Sequence, residues 1–154
     1  MSGTGGVSTA GYSGTPLPRK LGIRAGARLA LIGAPDGFDA TLGELPEAVA
    51  VRRRVGGQPL DVIVAFFSRR ALLERRLPAL SGALHPAGGL WIAWPKRASG
   101  VPTDVTEDVV RTLGLAAGLV DNKVCAIDEV WSGLRLVYRL RDRPTGSRAS
   151  ATPG

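Results

Sequence analysis

The chain has 154 residues and a formal net charge of +7, with 44% apolar residues, 5% aromatic residues and one cysteine. That is enough apolar matter for one buried core of ordinary domain size. No run of 18 uninterrupted apolar residues offers a membrane span, and a lone Cys125 excludes an internal disulfide.

Residues 1–18, rich in Gly, Ser, Thr and Pro, are expected to form a flexible N-terminal tail. They lack the basic start and apolar run of a secretory leader, so the expected location is cytoplasmic. Residues 19–140 are expected to form a single α/β domain, and 141–154 a flexible basic C-terminal tail. Within the domain, RLALIGAP (28–35) is an apolar run stopped by Pro35, Asp36 and Gly37, and predicts a buried strand. AVAVRRRV (48–55) predicts a shorter strand and LDVIVAFF (60–67) the clearest one; continuous runs of this kind suit strands covered on both faces.

The pattern then turns helical over 68–85, with Ser68 as N-cap and Leu72, Leu73, Leu77, Leu80 and Leu84 at helical spacing. Pro78 predicts a break or kink there. A turn at His85–Gly89 leads into a strand at 89–95, and a second helix is predicted over 104–120. The last strands, 123–129 and 133–140, are separated by Val130-Trp131-Ser132, short enough for a hairpin. Strand–helix–strand alternation implies right-handed crossovers. The expected fold is therefore a three-layer α/β design, with a mostly parallel sheet ending in an antiparallel hairpin.

Parallel strands share one carboxyl edge, where open α/β folds place their sites. The residues expected there are Asp36 and Gly37 after the first strand, Arg69 after the third, and Trp94, Lys96, Arg97, Ser99 and Gly100 after the fourth. Asp128, Glu129 and Trp131 come from the final hairpin. They are candidate contacts for a small anionic ligand or a protein partner. No catalytic residue is assigned, because neither Cys125 nor His85 has a base or acid partner in sequence; one Cys and one His cannot build a zinc site.

KLGIRAGARLALIGAP and LHPAGGLWIAWP together resemble a class I methyltransferase, a Rossmann-like fold that binds S-adenosylmethionine. More closely, the segments GYSGTPLPRKLGI, LERRLPAL, WPKRASGVPTDVTEDVVR and GLAAGLVDNKVCAIDEVWSGLR resemble a bacterial domain-of-unknown-function family, found mainly in high-GC Gram-positive bacteria. The methyltransferase resemblance implies a G-x-G-x-G cofactor loop after the first strand and a carboxylate at the end of the second. Here the loop is Gly33-Ala34-Pro35-Asp36-Gly37, in which Pro35 has no N–H and Ala34 adds a Cβ. Arg52, Arg53 and Arg54 stand where the acid is expected. The expectation is accordingly a degenerate cofactor loop, no cofactor, and no intact S-adenosylmethionine site.

In WPKRASGVPTDVTEDVVR, Asp104 and Glu107 form a D-x-x-E capping signature. Lys96 and Arg97 are expected to pair with Asp104, Glu107 or Asp108. The leading functional expectation is a non-catalytic binding or regulatory protein. The alternatives are a methyltransferase-like enzyme or an adenosyl- or nucleotide-binding protein using the carboxyl edge, and weak, salt-sensitive nucleic-acid association through the arginine clusters.

Overall fold

In the computed structural model, which describes residues 15–139, the apolar runs become strands β1 (Arg28–Ile32), β2 (Ala50–Arg52), β3 (Leu60–Phe66), β4 (Leu84–Pro95), β5 (Leu119–Ala126) and β6 (Trp131–Tyr138). They form one six-stranded sheet in the order β2-β1-β3-β4-β6-β5. β1 pairs in parallel with β2 and β3, and β3 with β4. Only β6 runs against its neighbours, β4 and β5. The chain winds outward from β1 to β2, then crosses back to β3 on the other side, so a topological switch point lies between β1 and β3. The mostly parallel sheet with its terminal hairpin is the expected one.

Helices cover both faces. α3 (Arg70–Ala83) and α4 (Glu107–Ala116) pack on one, over Ile63, Ala65, Leu90, Ile92 and Trp94. The other carries α1 (Leu17–Lys20) and α2 (Phe38–Leu42), over Leu29, Leu31, Val64, Trp91 and Ala93. Trp91 and Trp94 thus fill opposite layers, as their odd spacing in a strand requires. Trp91 is fully buried and its Nε1 donates to the Leu21 carbonyl at 2.9 Å, which satisfies the polar end of the ring. α4 approaches the sheet closely: a Cβ at Gly114 would lie 2.9 Å from Leu136 Cδ2.

Several local expectations are corrected. Pro78 lies inside a continuous α3. It is exposed, so the carbonyl it leaves without a helical donor is on the water side. His85-Pro86-Ala87-Gly88 is not a turn but the start of β4: Leu84 pairs with Leu60, and a register shift before the Val62–Gly89 pair absorbs the irregularity. The hairpin turn falls at Ile127–Val130, and Trp131 already belongs to β6, paired with Pro95. α4 starts at Glu107, with Thr106 as its N-cap accepting from Val109 N at 3.2 Å.

Of the expected N-terminal tail, Leu17 and Pro18 open α1, and Pro18 is buried. Residues 1–14 and the expected tail 141–154 lie outside the described residues. Among those described, no helix is long and apolar enough to cross a membrane.

Candidate functional site

The carboxyl edge is assembled from four loops that hold one another. After β1 the chain turns at Gly33, in the left-handed region at φ 67°; a Cβ there would stand 3.2 Å from the Phe66 carbonyl at the end of β3. The loop thus crosses the switch point at a distance and in a conformation that favour glycine. Gly37 (φ 84°) then starts α2, and Asp36 and Gly37 are exposed. Phe38 turns inward, its ring edge-to-face with Phe66 at 4.9 Å, and Phe66 meets Trp131 in the same manner at 5.1 Å. This aromatic row joins the loop after β1 to the hairpin.

The hairpin is shaped by Asp128, whose Oδ1 accepts from Val130 N and Trp131 N, both at 2.8 Å. Lys96 N donates to the Val130 carbonyl at 2.7 Å, binding the loop after β4 to the same turn. That loop forms a 3₁₀ turn at Arg97–Ser99, and Ser99 Oγ donates to the Lys96 carbonyl at 2.6 Å. Gly100 closes the turn at φ 77°. Asp128 Oδ1 and Ser99 Oγ are therefore spent on their own turns. Arg69, Arg97 and Glu129 are exposed, Lys96 and Trp131 half-buried. Trp94 is 7% exposed and belongs to the core under α3 and α4.

The charge pairing differs from the expected one. Glu107 and Asp108 both pair with Arg111, at 2.6 and 3.1 Å, and Arg111 reaches Asp121 at 3.2 Å. These contacts raise the Arg111 pKa further, the Glu107 hydrogen bond contributing most. Among the described residues, Lys96 and Arg97 make no ion pair with Asp104, Glu107 or Asp108. Asp104 does not cap its own helix either. Its Oδ1 accepts from Arg70 N at 2.6 Å, so it caps α3, while Thr103 Oγ1 donates to the Ser68 carbonyl at 2.8 Å. Ser68, expected as the cap, makes no side-chain bond to that helix; the cap comes from 34 residues away.

At the end of β2, Arg53 pairs with Asp39 of α2 at 3.0 Å. Arg52 Nη1 donates to the Gly56 and Gln58 carbonyls, closing the Gly56-Gly57 turn. Two of the three arginines are thus committed to structure. Cys125 is buried, and burial raises its thiol pKa against the opposing field of Lys20, Lys123 and Lys96. No group of three or more His, Cys, Asp or Glu among the described residues is placed to hold a metal ion.

This strand order, with its single reversed strand and carboxyl-edge loops, defines a methyltransferase-like Rossmann architecture. No family model and no curated protein matches the chain. Solved structures do. A SAM-dependent methyltransferase from Aquifex aeolicus superposes with a TM-score of 0.57 at 18% identity, over 77% of this chain and 85% of that one. A DhpI–SAH complex gives 0.54 at 11% identity, over 82% and 83%. Magnesium protoporphyrin IX methyltransferase (ChlM) from Synechocystis PCC 6803 with bound SAM gives 0.52 at 7% identity, over 80% and 74%.

These neighbours overturn the expectation of no cofactor, which rested on the loop after β1 and on the arginines at the end of β2. A ligand at the edge of such a sheet is held from several strand ends, and these two proteins of similar fold hold SAM or SAH. The residues here meet part of that requirement. Gly33 brings backbone close at the switch point, the position of a Gly37 Cβ has no atom within 4 Å, and Trp131 offers a partly open aromatic surface. The missing amide at Pro35 weakens the loop without closing the edge.

Proposed function

We propose that the protein is a methyltransferase-like domain that binds an adenosyl ligand at the carboxyl edge of its sheet. The observation that carries this is the left-handed turn at Gly33, packed against the Phe66 carbonyl where the sheet reverses direction. Around it, Asp36 and Gly37 would meet the ligand from the loop after β1, and Arg69, Lys96, Arg97, Gly100, Glu129 and Trp131 from the others. Asp128 and Ser99 hold the turns that present them. An adenosyl ligand with a methylated sulfonium would supply the methyl group. The neighbours' shared activity supports transfer to an acceptor at the same edge.

A second reading keeps the ligand and omits the transfer: a regulatory module that senses it. The Arg53–Asp39 pair favours this, because a cation and its partner occupy the end of β2, where the methyltransferase resemblance calls for a carboxylate. Either reading would extend to the bacterial domain family that the long segments resemble, with a cytoplasmic site of action.

Titration calorimetry of the full chain with S-adenosylhomocysteine tests the common part. We expect one binding site, weakened at least tenfold by Trp131→Ala or Asp36→Asn. Ligand at about 100 times its dissociation constant would stabilise the fold by about 2.7 kcal/mol. Absence of both heat and thermal shift at millimolar ligand would sink the proposal. Nucleic-acid association would be a separate electrostatic property, with an affinity that falls steeply with salt.

A further inference from the structure

We infer that the opposite, amino-terminal edge of the sheet carries a second site, for a small ligand bearing a phosphate or pyrophosphate group, centred on Arg135. Arg135 projects from β6 on the Trp91 face, beside Trp91 and Lys123 in the strand register. Its guanidinium passes close over Gly89: a Cβ there would stand 2.7 Å from Cζ and Nη2. The glycine leaves the room that the arginine occupies.

Half-buried in this way, the Arg135 guanidinium makes no hydrogen bond or ion pair with any described residue. The half-buried Arg111, by contrast, has three carboxylates, and Arg52 has two backbone carbonyls. Burial without a counter-charge disfavours the charged form, and the Arg135 pKa is accordingly lowered. A guanidinium held in this state presents a planar fork of donors matched to phosphate oxygens.

The surroundings are concave and positive. On one side of Arg135 is a recess of about 460 Å³ bordered by Arg24, Asp61, His85 and Gly88. On the other is a smaller one of about 180 Å³ bordered by Arg19, Lys20 and Lys123. Asp61 is the one carboxylate among the residues lining these recesses, and its Oδ2 accepts from Arg28 N at 2.8 Å. His85 Nδ1 accepts from Ala87 N at 3.0 Å, and Lys123 Nζ donates to the Lys20 carbonyl at 3.1 Å. The larger recess has the size of a small-molecule site. This favours a phosphorylated metabolite over the extended backbone of a nucleic acid, which needs a long positive track. The site is remote from the carboxyl edge and does not depend on the reading proposed for it.

The test uses the full chain with inorganic pyrophosphate, at ionic strength held constant with sodium chloride. Pyrophosphate is expected to shift the Arg135 Nε and the Gly88 and Gly89 amide resonances and to raise the melting temperature. Arg135→Gln should weaken the affinity at least tenfold, and Arg135→Lys less. Arg24→Gln provides a second variant, on an exposed side chain that folding does not need, with an expected severalfold loss. Equal shifts from chloride alone, or undiminished binding in Arg135→Gln, would overturn the proposal. So would a preference for a single-stranded oligonucleotide that survives Arg135→Gln.

Discussion

The two faces of the sheet are built on different plans. The α3/α4 face has helices of 14 and 10 residues, tied to the rest of the protein by side chains reaching backbone across long sequence distances: Asp104 to Arg70, Thr103 to Ser68, and Tyr138 to Ser81. The opposite face is covered by helices of four and five residues and the loops between them. Four recesses among the described residues, the two beside Arg135 included, each border α1 or the turn after it. Thin cover leaves this face accessible. The difference teaches where to look for ligands in a small α/β protein: beside the short elements that cannot seal their own layer.

Substitutions can break this contrast. Trp91→Ala should have the largest effect, about 3–5 kcal/mol in urea unfolding, because it empties the centre of the thin face. Trp91→Phe should lose about 1 kcal/mol, the worth of one hydrogen bond, and expose the N-terminal segment to protease. On the thick face, Asp104→Ala should cost about 1–2 kcal/mol, since Arg70 N loses its acceptor, and Asp104→Asn should recover most of it.

Tyr138→Phe should cost about 1 kcal/mol, through the 2.6 Å bond to the Ser81 carbonyl. Burial raises the Tyr138 pKa above the ordinary tyrosine range. Its neutral form is therefore favoured in the folded state. That contribution is fully present below the ordinary tyrosine pKa and is lost as pH rises through it toward the folded value. Alkaline unfolding of Tyr138→Phe should accordingly show a shallower pH dependence. Arg53→Ala should have the smallest effect, below the resolution of thermal unfolding, because both partners of its ion pair are well exposed.

The strands were legible because each buried run states its burial directly: LDVIVAF and LWIAWP have almost no polar residue to place. α2 was not. Five residues, FDATL, are too few to display a helical period, and the segment is helical because Phe38 and Leu42 pack under it. Nor did composition reveal the partners of the loop charges. Asp104 satisfies a D-x-x-E capping signature for the helix that follows, yet a carboxylate pairs with whatever donor the fold brings near. Here that donor is Arg70 N, which the crossing of two βα units supplies. The edge holding the candidate residues followed from strand direction alone. Which of them would have their polar atoms consumed, as Asp128 and Ser99 do, required the turn geometry. The amino-edge cluster was invisible for the same reason: Arg24, Lys123 and Arg135 meet only through the register of β5 and β6 and the turn after α1.

The bond from the Trp91 indole to the Leu21 carbonyl should also order the assembly of the protein in time. It joins positions 70 residues apart. Four residues cannot nucleate a helix unaided, so α1 should form only once β4 is in place and presents that donor. The same dependence makes the segment a candidate for opening on its own while the sheet stays folded. Amide exchange at Leu21 and Ile23 should then be faster than in β3 and insensitive to mild changes in global stability. A ligand touching this segment would slow that exchange, so the rate would register occupancy before any chemistry is known.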